Sequence, residues 1–581
     1  MKKTKIVCTM GPRSDDEAIM RALVREGMDV ARFNFSHGTH EEQKGRMDML
    51  KRIREEEKKP IAILLDTKGP EIRTGVLKDG KKVMLETGSE FILTTRETEG
   101  DEKKVSITYD GLVEDVQVGT IILVDDGLIG LEVKAKRQDE IVCRVVNGGE
   151  LGERKGVNVP NVPVRLPAIT EKDREDLRFG VEQGIDFIAA SFVRNAECIL
   201  EIRAFLKECE APYIPIIAKI ENAEGIKNID EIIRCADGIM VARGDLGVEI
   251  PAEEVPYLQK MIIQRCNDNY KPVITATQML DSMMKNPRPT RAEATDVANA
   301  IYDGTSCIML SGETAAGSYP VEALETMVRI AEKAEQNINY IKRFNSRDNS
   351  DIAFDVTNAI SHATCTTAHD LGAKAIITVT KSGMTARQLS KFRPLYPIVG
   401  CTTDDHVYRQ LNLSWGVSPL LIDEETDTDA LFDHAVDAAE KAGLVASGDL
   451  VVITAGMPLG VSGTTNMMKV HVVGHVLLMG DGVTDKTVSA RLCVCRKPED
   501  IEKSFHDGDI LVVPETDNSM IDCLRRCSGI ITEQKGTNTH AAISGLAMDK
   551  PVITGAANAT HILKAGTVVC LDAKNGRVSS V

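Results

Sequence analysis

A short apolar run that ends in polar residues, followed by a helix-like segment, recurs along this chain. The first three runs are KIVCTM, VARFNFSHG and AILLDTKG, and five more follow: FIAASFV, IPIIAKIEN, GIMVARGDLG, PVITATQML and CIMLSGET. Segments such as AIMRALVREG, EDLRFGVEQG and AECILEIRAFLKE, which come after several of the runs, have helix-like composition and spacing. About eight strands that alternate with helices is the count of a (β/α)8 barrel. The sequence therefore predicts an α/β fold built on a TIM barrel.

Polar side chains stand at the carboxyl ends of the predicted strands. In barrels of this type the chemistry lies on the face where the strands end. We therefore expect one barrel mouth to gather the polar residues at these ends. They are Arg32, Asn34, Ser36, Asp66, Thr67, Lys219, Glu221, Asp245, Thr277, Ser311 and Glu313.

Lys219 and Glu221 carry the clearest chemical signal. They lie two residues apart in an apolar strand, so their side chains point the same way. Asp245 ends the next strand-like run, which brings one cation and two carboxylates together. Such a group suits a phosphate and metal pocket. The alternatives are a strand-end salt bridge between Lys219 and Glu221, or solvated surface charges, and the apolar setting counts against the second.

Three stretches lie outside the barrel pattern. Strand-like segments between Gly and Asp turns predict that residues 70–166 form an inserted all-β lid domain, a small β-barrel over the mouth. The TIM barrel is then expected at residues 1–69 and 167–335. A second α/β domain, regulatory in role, is expected at residues 336–473, and an extra C-terminal domain at residues 474–581.

Composition excludes several classes of protein. The net charge of −17 and the pI near 5.3 disfavour a nucleic-acid partner. No apolar run reaches the roughly 20 residues of a membrane span, and the N-terminal run IVCTM is too short for a signal peptide. We therefore expect a cytoplasmic protein without a membrane partner. The 14 cysteines are scattered, which favours reduced thiols, and the closer pairs Cys493 with Cys495 and Cys523 with Cys527 lack the usual zinc-ligand spacing.

Seven long motifs point to a known family. They are RFNFSHG, LLDTKGPEIRTG, AKIENAEG, VARGDLGVE, TATQMLDSM, PTRAEATDVANA and MLSGETAAG. Through them the chain, except its last hundred or so residues, resembles the pyruvate kinases. The resemblance implies a TIM barrel with a β lid and an α/β allosteric domain. It also implies a phosphotransferase that moves the phosphoryl group of phosphoenolpyruvate to ADP, giving pyruvate and ATP in the last step of glycolysis.

The resemblance assigns roles around the transferred phosphoryl group. Lys219 would stabilise that group, because phosphoryl transfer depends on positioning and on fixed positive charge. Glu221 and Asp245 would hold Mg2+ or Mn2+. The turn from Gly244 through Asp245 is expected to open a helix whose backbone N–H groups receive the substrate carboxylate. Arg32 would contact phosphate.

Further roles concern the proton and the nucleotide. Thr277 resembles the residue beside the enolate carbon, and Ser311 with Glu313 would hold a water in the proton path. The proton donor stays open, with a water chain organised by Thr277 and Ser311 as the preferred reading. The residues expected near ADP or ATP are Asn34, His37, Arg73 and Lys155.

Potassium dependence is also implied. Asn34, Ser36, Asp66 and Thr67 resemble the family's K+ ligands, although mutual hydrogen bonding without an ion is the alternative reading. Family members that need K+ carry Glu at the position of Glu71, whereas independent ones tend to carry Lys. We therefore expect this protein to require K+.

A regulatory site is expected in the second α/β domain. Thr380, Lys381, Ser382, Gly383 and Thr385 follow a predicted strand and precede a helix expected to begin near Ala386. This resembles the effector loop of regulated family members, which binds a sugar phosphate or a nucleotide such as AMP. A simple capped helix start is the alternative. The loop GVSGTTN at residues 460–466 is expected to wall the same site, and family members assemble as homotetramers.

The extra C-terminal domain resembles the phosphohistidine domain of phosphoenolpyruvate-utilising enzymes. In its motif TEQKGTNTHAAI, His540 follows Thr539 where a phosphorylated histidine would stand. Leu546 occupies the place where carriers usually have Arg, so we favour a structural or assembly role over phosphate transfer. A carrier enzyme that works through His540 and a non-catalytic homologue are the competing hypotheses. The complete set of barrel residues disfavours the latter.

Overall fold

A computed structural model describes residues 2–346, 355–425, 427–456, 465–474 and 476–580. Its strands, in chain order, are β1 (Lys5–Met10), β2 (Val30–Asn34), β3 (Ala62–Asp66), β4 (Val83–Leu85), β5 (Glu90–Thr94), β6 (Lys104–Ser106), β7 (Ile121–Val124), β8 (Ile129–Lys136), β9 (Glu140–Asn147), β10 (Gly149–Leu151), β11 (Val157–Asn158), β12 (Phe187–Ala190), β13 (Ile216–Ile220), β14 (Gly238–Ala242), β15 (Val273–Ala276), β16 (Cys307–Leu310), β17 (Ala375–Val379), β18 (Ile398–Thr402), β19 (Val417–Leu421), β20 (Leu450–Gly456), β21 (Thr465–Val472), β22 (Val476–Met479), β23 (Asp481–Gly482), β24 (Thr487–Val494), β25 (Ile510–Val513), β26 (Gly529–Thr532), β27 (Val552–Thr554), β28 (Val568–Asp572) and β29 (Arg577–Ser580).

The α-helices are α1 (Glu17–Glu26), α2 (His40–Glu56), α3 (Leu112–Asp115), α4 (Glu171–Glu182), α5 (Ala196–Glu208), α6 (Ala223–Lys227), α7 (Ile229–Cys235), α8 (Arg243–Glu249), α9 (Val255–Asp268), α10 (Arg291–Asp303), α11 (Gly312–Ala315), α12 (Pro320–Gln336), α13 (Tyr340–Asn345), α14 (Val356–Leu371), α15 (Met384–Lys391), α16 (Asp405–Gln410), α17 (Thr428–Lys441), α18 (Ile501–Ser504), α19 (Ile521–Arg526), α20 (His540–Ala547) and α21 (Ala559–Ile562). Short 3-10 helices cover Pro12–Asp15, Lys78–Gly80, Asp281–Met284, Leu411–Leu413, Pro498–Asp500 and Asn518–Met520.

Eight parallel strands close into a barrel in the order β1-β16-β15-β14-β13-β12-β3-β2. The predicted TIM barrel is therefore confirmed. Its interior is filled by side chains such as Val30, Leu64, Ile217 and Ile274, while a second apolar cluster packs the strands against the surrounding helices. A filled interior leaves the strand ends as the place for polar chemistry.

Local sequence signals account for several barrel helices. Thr39, Thr170 and Thr290 each cap a helix, and in each case the residue three positions on, Glu or Asp, bonds back to the capping residue. This reciprocal arrangement satisfies backbone N–H groups that have no partner within the helix. In α1 the buried residues Met20, Leu23 and Val24 have helical spacing.

The insertion between β3 and β12 is built almost wholly of strands. A six-stranded sheet has the order β11-β7-β8-β9-β5-β6, and β10 pairs with β4 in a separate two-stranded sheet. Phe91, Leu93 and Leu131 belong to their own apolar core. An isolated bridge between Arg73 and Gly156 joins the two chain segments that lead into and out of these sheets. This confirms an inserted β domain, and α3 is its one α-helix within the described residues.

The remaining strands form two further sheets. One has five strands in the order β19-β18-β17-β20-β21, and the other has eight in the order β22-β29-β28-β24-β25-β26-β27-β23. In the latter, β24 to β27 pair in parallel and β28 with β29 is antiparallel. The second α/β domain and the extra C-terminal domain are thus present as predicted, while the predicted domain bounds stay predictions.

By internal contacts the chain divides into two compact units. The first comprises Met1–Cys365, Thr378–Leu421 and Ala455–Asn466, and the second comprises Thr366–Ile377, Ile422–Thr454 and Met467–Val581. The barrel, its inserted β domain and the predicted effector loop all belong to the first unit. Among the helices described here, none is both long and apolar enough to cross a membrane.

Candidate active site

Charged side chains meet at the carboxyl ends of β2, β3 and β13. The Nζ atom of Lys219 lies 3.1 Å from Oδ1 of Asp66 and 2.9 Å from Oε1 of Glu221, and it donates to Oγ of Ser191 at 2.7 Å. Arg32 donates from Nε to Oδ2 of Asp66 at 2.6 Å. These side chains are buried or nearly so, and two cations face two carboxylates. Lys219 and Glu221 thus point the same way, as their spacing predicts, and they form the strand-end salt bridge that was the alternative reading.

Burial and charge pairing set the protonation of this cluster. Burial opposes the charge on Lys219, but the carboxylates of Asp66 and Glu221 outweigh it and raise its pKa above the usual value. For Asp66, burial is likewise overcome, here by Arg32 and Lys219, so its pKa is lowered. Lys219 therefore stays a cation and Asp66 an anion at neutral pH.

The carboxylate of Glu221 has a raised pKa. Burial is the largest cause of its raised pKa; Lys219 lowers the pKa, whereas the nearby Asp245 raises it. Its Oε2 accepts the backbone N–H of Phe192 at 2.6 Å. Phe192 has φ +54°, in the left-handed region, which is strained for a non-glycine residue. A further cation beside Glu221 and Asp245 would relieve the repulsion between them.

A cavity of about 250 Å³ adjoins this cluster between the barrel and the inserted β domain. Glu71, Arg73, Lys155 and Asp245 all line it. Arg73 pairs with Glu71 at 2.6 Å, and Lys155 pairs with Asp125 at 2.8 Å. The predicted nucleotide residues Arg73 and Lys155 thus border the same space as the predicted metal ligand Asp245.

Helix α8 begins where β14 ends, as expected for the turn that contains Gly244 and Asp245. The N–H of Gly244 donates to Oγ1 of Thr277 at 2.8 Å. Thr277 has φ +67°, which is rare for a β-branched residue and is held by its surroundings. Arg243 donates to the carbonyls of Ala276 and Thr277, and it pairs with Asp296 at 2.7 Å.

Ser311 and Glu313 lie at the end of β16. Both oxygens of Glu313 accept backbone N–H groups, from Leu280 at 3.0 Å and from Ser311 at 2.7 Å. Burial raises the pKa of Glu313. Oγ of Ser311 is buried and has no hydrogen-bond partner within the described part of the chain. Such an atom suits a bound water, whereas Glu313 shapes the backbone around it.

The predicted potassium ligands come from paired strand ends. Asn34 on β2 is in register with Asp66 on β3, and Thr67 follows Asp66 directly. Oδ1 of Asn34 accepts the N–H of Ser36 at 3.0 Å. The structure thus gathers four oxygen-bearing residues from one edge, with the exposed His37 next to them.

The predicted effector loop joins β17 to α15. Helix α15 begins at Met384, two residues before the expected start, because Gly383 with φ +76° turns the chain at its N-cap without a side-chain cap. Oγ1 of Thr385 lies 2.7 Å from Oγ1 of Thr465, and Lys381 is exposed. Thr380 donates its N–H to the carbonyl of Cys401 at 2.9 Å.

The partner loop of that site is described only in part. Thr465 belongs to the described residues, whereas residues 460–464 of the predicted wall lie outside them.

His540 opens helix α20 after Thr539, which caps it. Its Nδ1 lies 2.9 Å from Oγ1 of Thr516 and its Nε2 lies 3.2 Å from Oδ1 of Asn518. Asn518 offers an oxygen acceptor, so we assign the ring proton to Nε2. Both ring nitrogens of His540 are therefore engaged in hydrogen bonds. Leu546, which stands where carriers have Arg, is exposed.

Several residues of the site were not predicted from sequence. Ser191 and Phe192, in the run FIAASFV, contact Lys219 and Glu221, and Arg243 holds the strained Thr277. Their positions at the carboxyl ends of predicted strands are the sequence feature that could have identified them. Within the described residues no group of three or more His, Cys, Asp or Glu has metal-site geometry.

Comparisons with known proteins identify the family. Family models match for pyruvate kinase, barrel domain, at residues 1–324 and for pyruvate kinase, alpha/beta domain, at residues 358–471. A third model, PEP-utilising enzyme, mobile domain, matches residues 505–576.

Full-length relatives and a solved structure agree with the models. The chain is 51% identical over 579 residues to a pyruvate kinase of Geobacillus stearothermophilus, covering 99% of this chain and 98% of that one. It is 51% identical over 580 residues to a pyruvate kinase of Bacillus licheniformis, covering 100% and 99%. A crystal structure of a pyruvate kinase from Cryptosporidium parvum matches with a TM-score of 0.77 and 40% identity, over 81% of this chain and 96% of that chain. The chain therefore belongs to the pyruvate kinase family of phosphotransferases.

Proposed function

We propose that this protein transfers the phosphoryl group of phosphoenolpyruvate to ADP, giving pyruvate and ATP. The observation that carries the proposal is the buried Lys219, which contacts Asp66, Glu221 and Ser191 beside the cavity that Asp245 lines. A held cation next to two carboxylates and an open pocket is what phosphoryl transfer needs.

Lys219 and Arg32 supply the fixed positive charge. A loose phosphoryl-transfer transition state spreads negative charge over three oxygens, and Lys219 stabilises that charge at little reorganisation cost because three side chains already hold its ammonium. Arg32 is oriented by Asp66 and by Oγ1 of Thr9, 3.0 Å from its Nη1, and it contacts phosphate with its remaining donors.

Glu221 and Asp245 fit a divalent cation. Asp245 helps to raise the pKa of Glu221, and both are hard oxygen ligands of the kind that Mg2+ or Mn2+ accepts. Such a cation, when bound, neutralises charge shared by the enolpyruvate and the phosphoryl oxygens. Phe192 orients Glu221 through its N–H, and backbone N–H groups at the start of α8 receive the substrate carboxylate.

K+ fits the paired strand ends that carry Asn34, Ser36, Asp66 and Thr67. All four offer oxygen atoms and none carries a positive charge. Glu71 places a carboxylate, not an ammonium, in the adjoining cavity, so the protein supplies no cation of its own at that position. This supports a requirement for K+.

Thr277 and Ser311 organise the proton that completes pyruvate. Oγ1 of Thr277 accepts the N–H of Gly244 and donates to the carbonyl of Ala276 at 2.7 Å, while Oγ of Ser311 has bonding capacity to spare within the described chain. A water held by these hydroxyl groups delivers the proton to carbon, and Glu313 fixes the backbone at Ser311.

The nucleotide, the effector and the assembly complete the proposal. ADP lies along Arg73 and Lys155, near Asn34 and His37, in the cavity beneath the β domain. A sugar phosphate or AMP binds the loop of Thr380, Lys381, Ser382, Gly383 and Thr385. The protein acts as a cytoplasmic homotetramer whose effector biases two states of the assembly.

A coupled assay tests the activity. Pyruvate formation is measured from phosphoenolpyruvate and ADP with Mg2+, with and without K+, and in each case with and without ribose 5-phosphate or AMP. Turnover that needs both cations is expected. Absence of turnover in every condition contradicts the proposed reaction, and light scattering on the same sample gives the assembly state.

A further inference from the structure

A second cavity, of about 270 Å³, lies at the opposite end of the barrel, where strands begin. Pro215, Asp237 and Pro272, which line it, directly precede or adjoin the first residues of β13, β14 and β15. Arg387 of α15 closes another side. All of its lining residues belong to the first compact unit and none belongs to the candidate active site, whereas Met384 lies within the stretch of the predicted effector loop.

Two cations face this cavity with little negative charge to balance them. Nζ of Lys271 donates to the carbonyl of Ala236 at 2.6 Å, and Arg387 donates to the carbonyl of Ser382 at 2.6 Å. In the described chain neither forms an ion pair. Asp237 is the lone carboxylate among the described lining residues, and Arg203 already binds it at 2.7 Å.

The surroundings add further positive charge. A small adjoining cavity shares Tyr270, Lys271 and Arg387 with the first and is also lined by Lys391 and Arg393. Nζ of Lys391 lies 4.0 Å above the ring of Tyr270. Tyr270 itself has φ +60°, because it makes the left-handed turn that ends α9 directly after its C-cap Asn269.

The buried positive charges around this cavity favour a bound anion. Burial lowers the pKa of Lys271, Asp237 partly offsets this, and Arg203 and Arg387 lower it further. Burial also lowers the pKa of Arg387. Partly desolvated charges of one sign repel each other, and an anion between them removes that penalty. In a chain of net charge −17, such a local positive pocket is needed to attract an anion.

We propose that this cavity is a binding site for a small phosphate-bearing anion, held between Lys271 of the barrel and Arg387 of α15. The planar guanidinium of Arg387 suits two phosphate oxygens and the ammonium of Lys271 adds a point charge. Tyr270, Phe187 and Met384 give the same cavity apolar surface for an organic group attached to the phosphate. The site differs from the predicted effector loop in its need for Lys271.

The single tryptophan makes binding measurable. Trp415 follows Ser414, which lines both cavities, and the Trp415 carbonyl accepts Oγ of Ser390 at 2.7 Å. The full chain is titrated with inorganic phosphate, AMP or adenosine while Trp415 emission is followed. Phosphate, AMP or both should give a saturable change in emission. Tighter binding of inorganic phosphate would indicate a site for free phosphate, and tighter binding of AMP would indicate a site for a phosphomonoester. Adenosine, which has no phosphate, should give none.

Matched lysine variants locate the signal. Lys271→Met should weaken binding about tenfold or more, as loss of a charged hydrogen bond implies, whereas Lys271→Arg should largely restore it. Lys82→Met, which removes an exposed lysine paired with Glu150 in the β domain, should leave the titration unchanged. Binding at the effector loop is separated by repeating the titration in Lys381→Met. A saturable change of unaltered strength in the double variant Lys271→Met, Lys381→Met, or one that disappears in Lys82→Met, overturns the proposal.

A direct measurement covers the case in which Lys271→Met fails to fold. Crystals of the unaltered protein are soaked in arsenate, a phosphate analogue with an anomalous signal. A peak between Lys271 and Arg387 supports the site. A cavity without a peak, at an arsenate concentration that saturates any other site in the crystal, overturns it.

Discussion

Nζ of Lys219 lies 2.9 Å from Oε1 of Glu221, and the same ammonium is 3.1 Å from Asp66. Both contacts are buried, so the charge of Lys219 is paired on two sides before any substrate arrives. A buried ion pair is weak evidence for stability, because desolvation offsets much of the attraction. Because these charges lie at the barrel mouth, a role in catalysis explains their costly burial better than a role in stability does.

Replacing Lys219 by Met should abolish most of the turnover. We expect kcat to fall by about 10²-fold or more while KM for phosphoenolpyruvate changes little, because the ammonium acts on charge that develops in the transition state. Steady-state kinetics measures both constants. The control is Lys82→Met, which removes an exposed lysine paired with Glu150 and should leave both constants unchanged. A large rise in KM with unchanged kcat would assign Lys219 to ground-state binding.

The same variant should also be less stable. Without the ammonium, Asp66 keeps Arg32, but Glu221 loses the one cation that pairs with it among the described residues and stays buried. Breaking one side of a buried pair costs roughly 3–5 kcal/mol. Denaturant unfolding should therefore show a lower free energy of unfolding for Lys219→Met than for Lys82→Met. Equal stability of the two variants would mean that Glu221 takes up a proton at no measurable cost.

Glu71→Lys should relax the need for K+. The new ammonium would place in the cavity the positive charge that K+ otherwise brings, so activity without K+ should rise relative to activity with it. The ratio of turnover in K+ to turnover in a large inert cation measures this. Glu71→Gln is the control, because it removes the carboxylate without adding a charge. Unaltered protein that turns over equally in both salts would remove the basis of the prediction.

Much of the barrel and its mouth could be predicted from sequence. The run KIVCTM corresponds residue for residue to β1, and the spacing of Lys219 and Glu221 placed both side chains on one face. Strand and helix periods are local properties, so the sequence carries them directly. The family motifs then supplied roles that spacing alone did not.

Contacts between distant segments were harder to predict. The N–H of Phe192 donates to Glu221, which lies 29 positions away in sequence. Arg243 donates to the carbonyl of Thr277, which lies 34 positions away. The positive φ of Thr277 also gave no signal, because a β-branched residue disfavours that conformation and only tertiary contacts impose it. Helix α15 begins earlier than predicted because Gly383 makes a left-handed turn directly before Met384.

The apparent affinity for Mg2+ should fall as the pH is lowered through neutrality. Burial and Asp245 raise the pKa of Glu221 to about 7, so below that pH a proton occupies the carboxylate that the metal needs. The Mg2+ concentration at half-maximal activity, measured at saturating substrates, should therefore increase toward acid pH. Asp245→Asn removes the repulsion that raises this pKa, so residual metal binding, followed by calorimetry, should depend less on pH. A half-saturation value that is constant from about pH 6 to pH 8 would contradict the assignment of Glu221.

Thr277→Val should uncouple substrate binding from proton delivery. Valine keeps the β-branched shape but lacks Oγ1, so the N–H of Gly244 loses its acceptor and a water in the proton path loses a partner. Loss of a group that positions a proton typically lowers the rate by about 10²- to 10⁴-fold. Exchange of solvent deuterium into the methyl group of pyruvate measures that step. The exchange rate should fall by a larger factor than the change in KM for phosphoenolpyruvate.

Thr295→Val is the matched control. The hydroxyl of Thr295 lies on an exposed helix face and bonds to the carbonyl of Arg291, so this variant should catalyse the exchange at the normal rate. Thr277→Ser, which restores the hydroxyl, should recover most of the exchange, and failure of that rescue would mean that the threonine acts through the strained backbone and not through Oγ1.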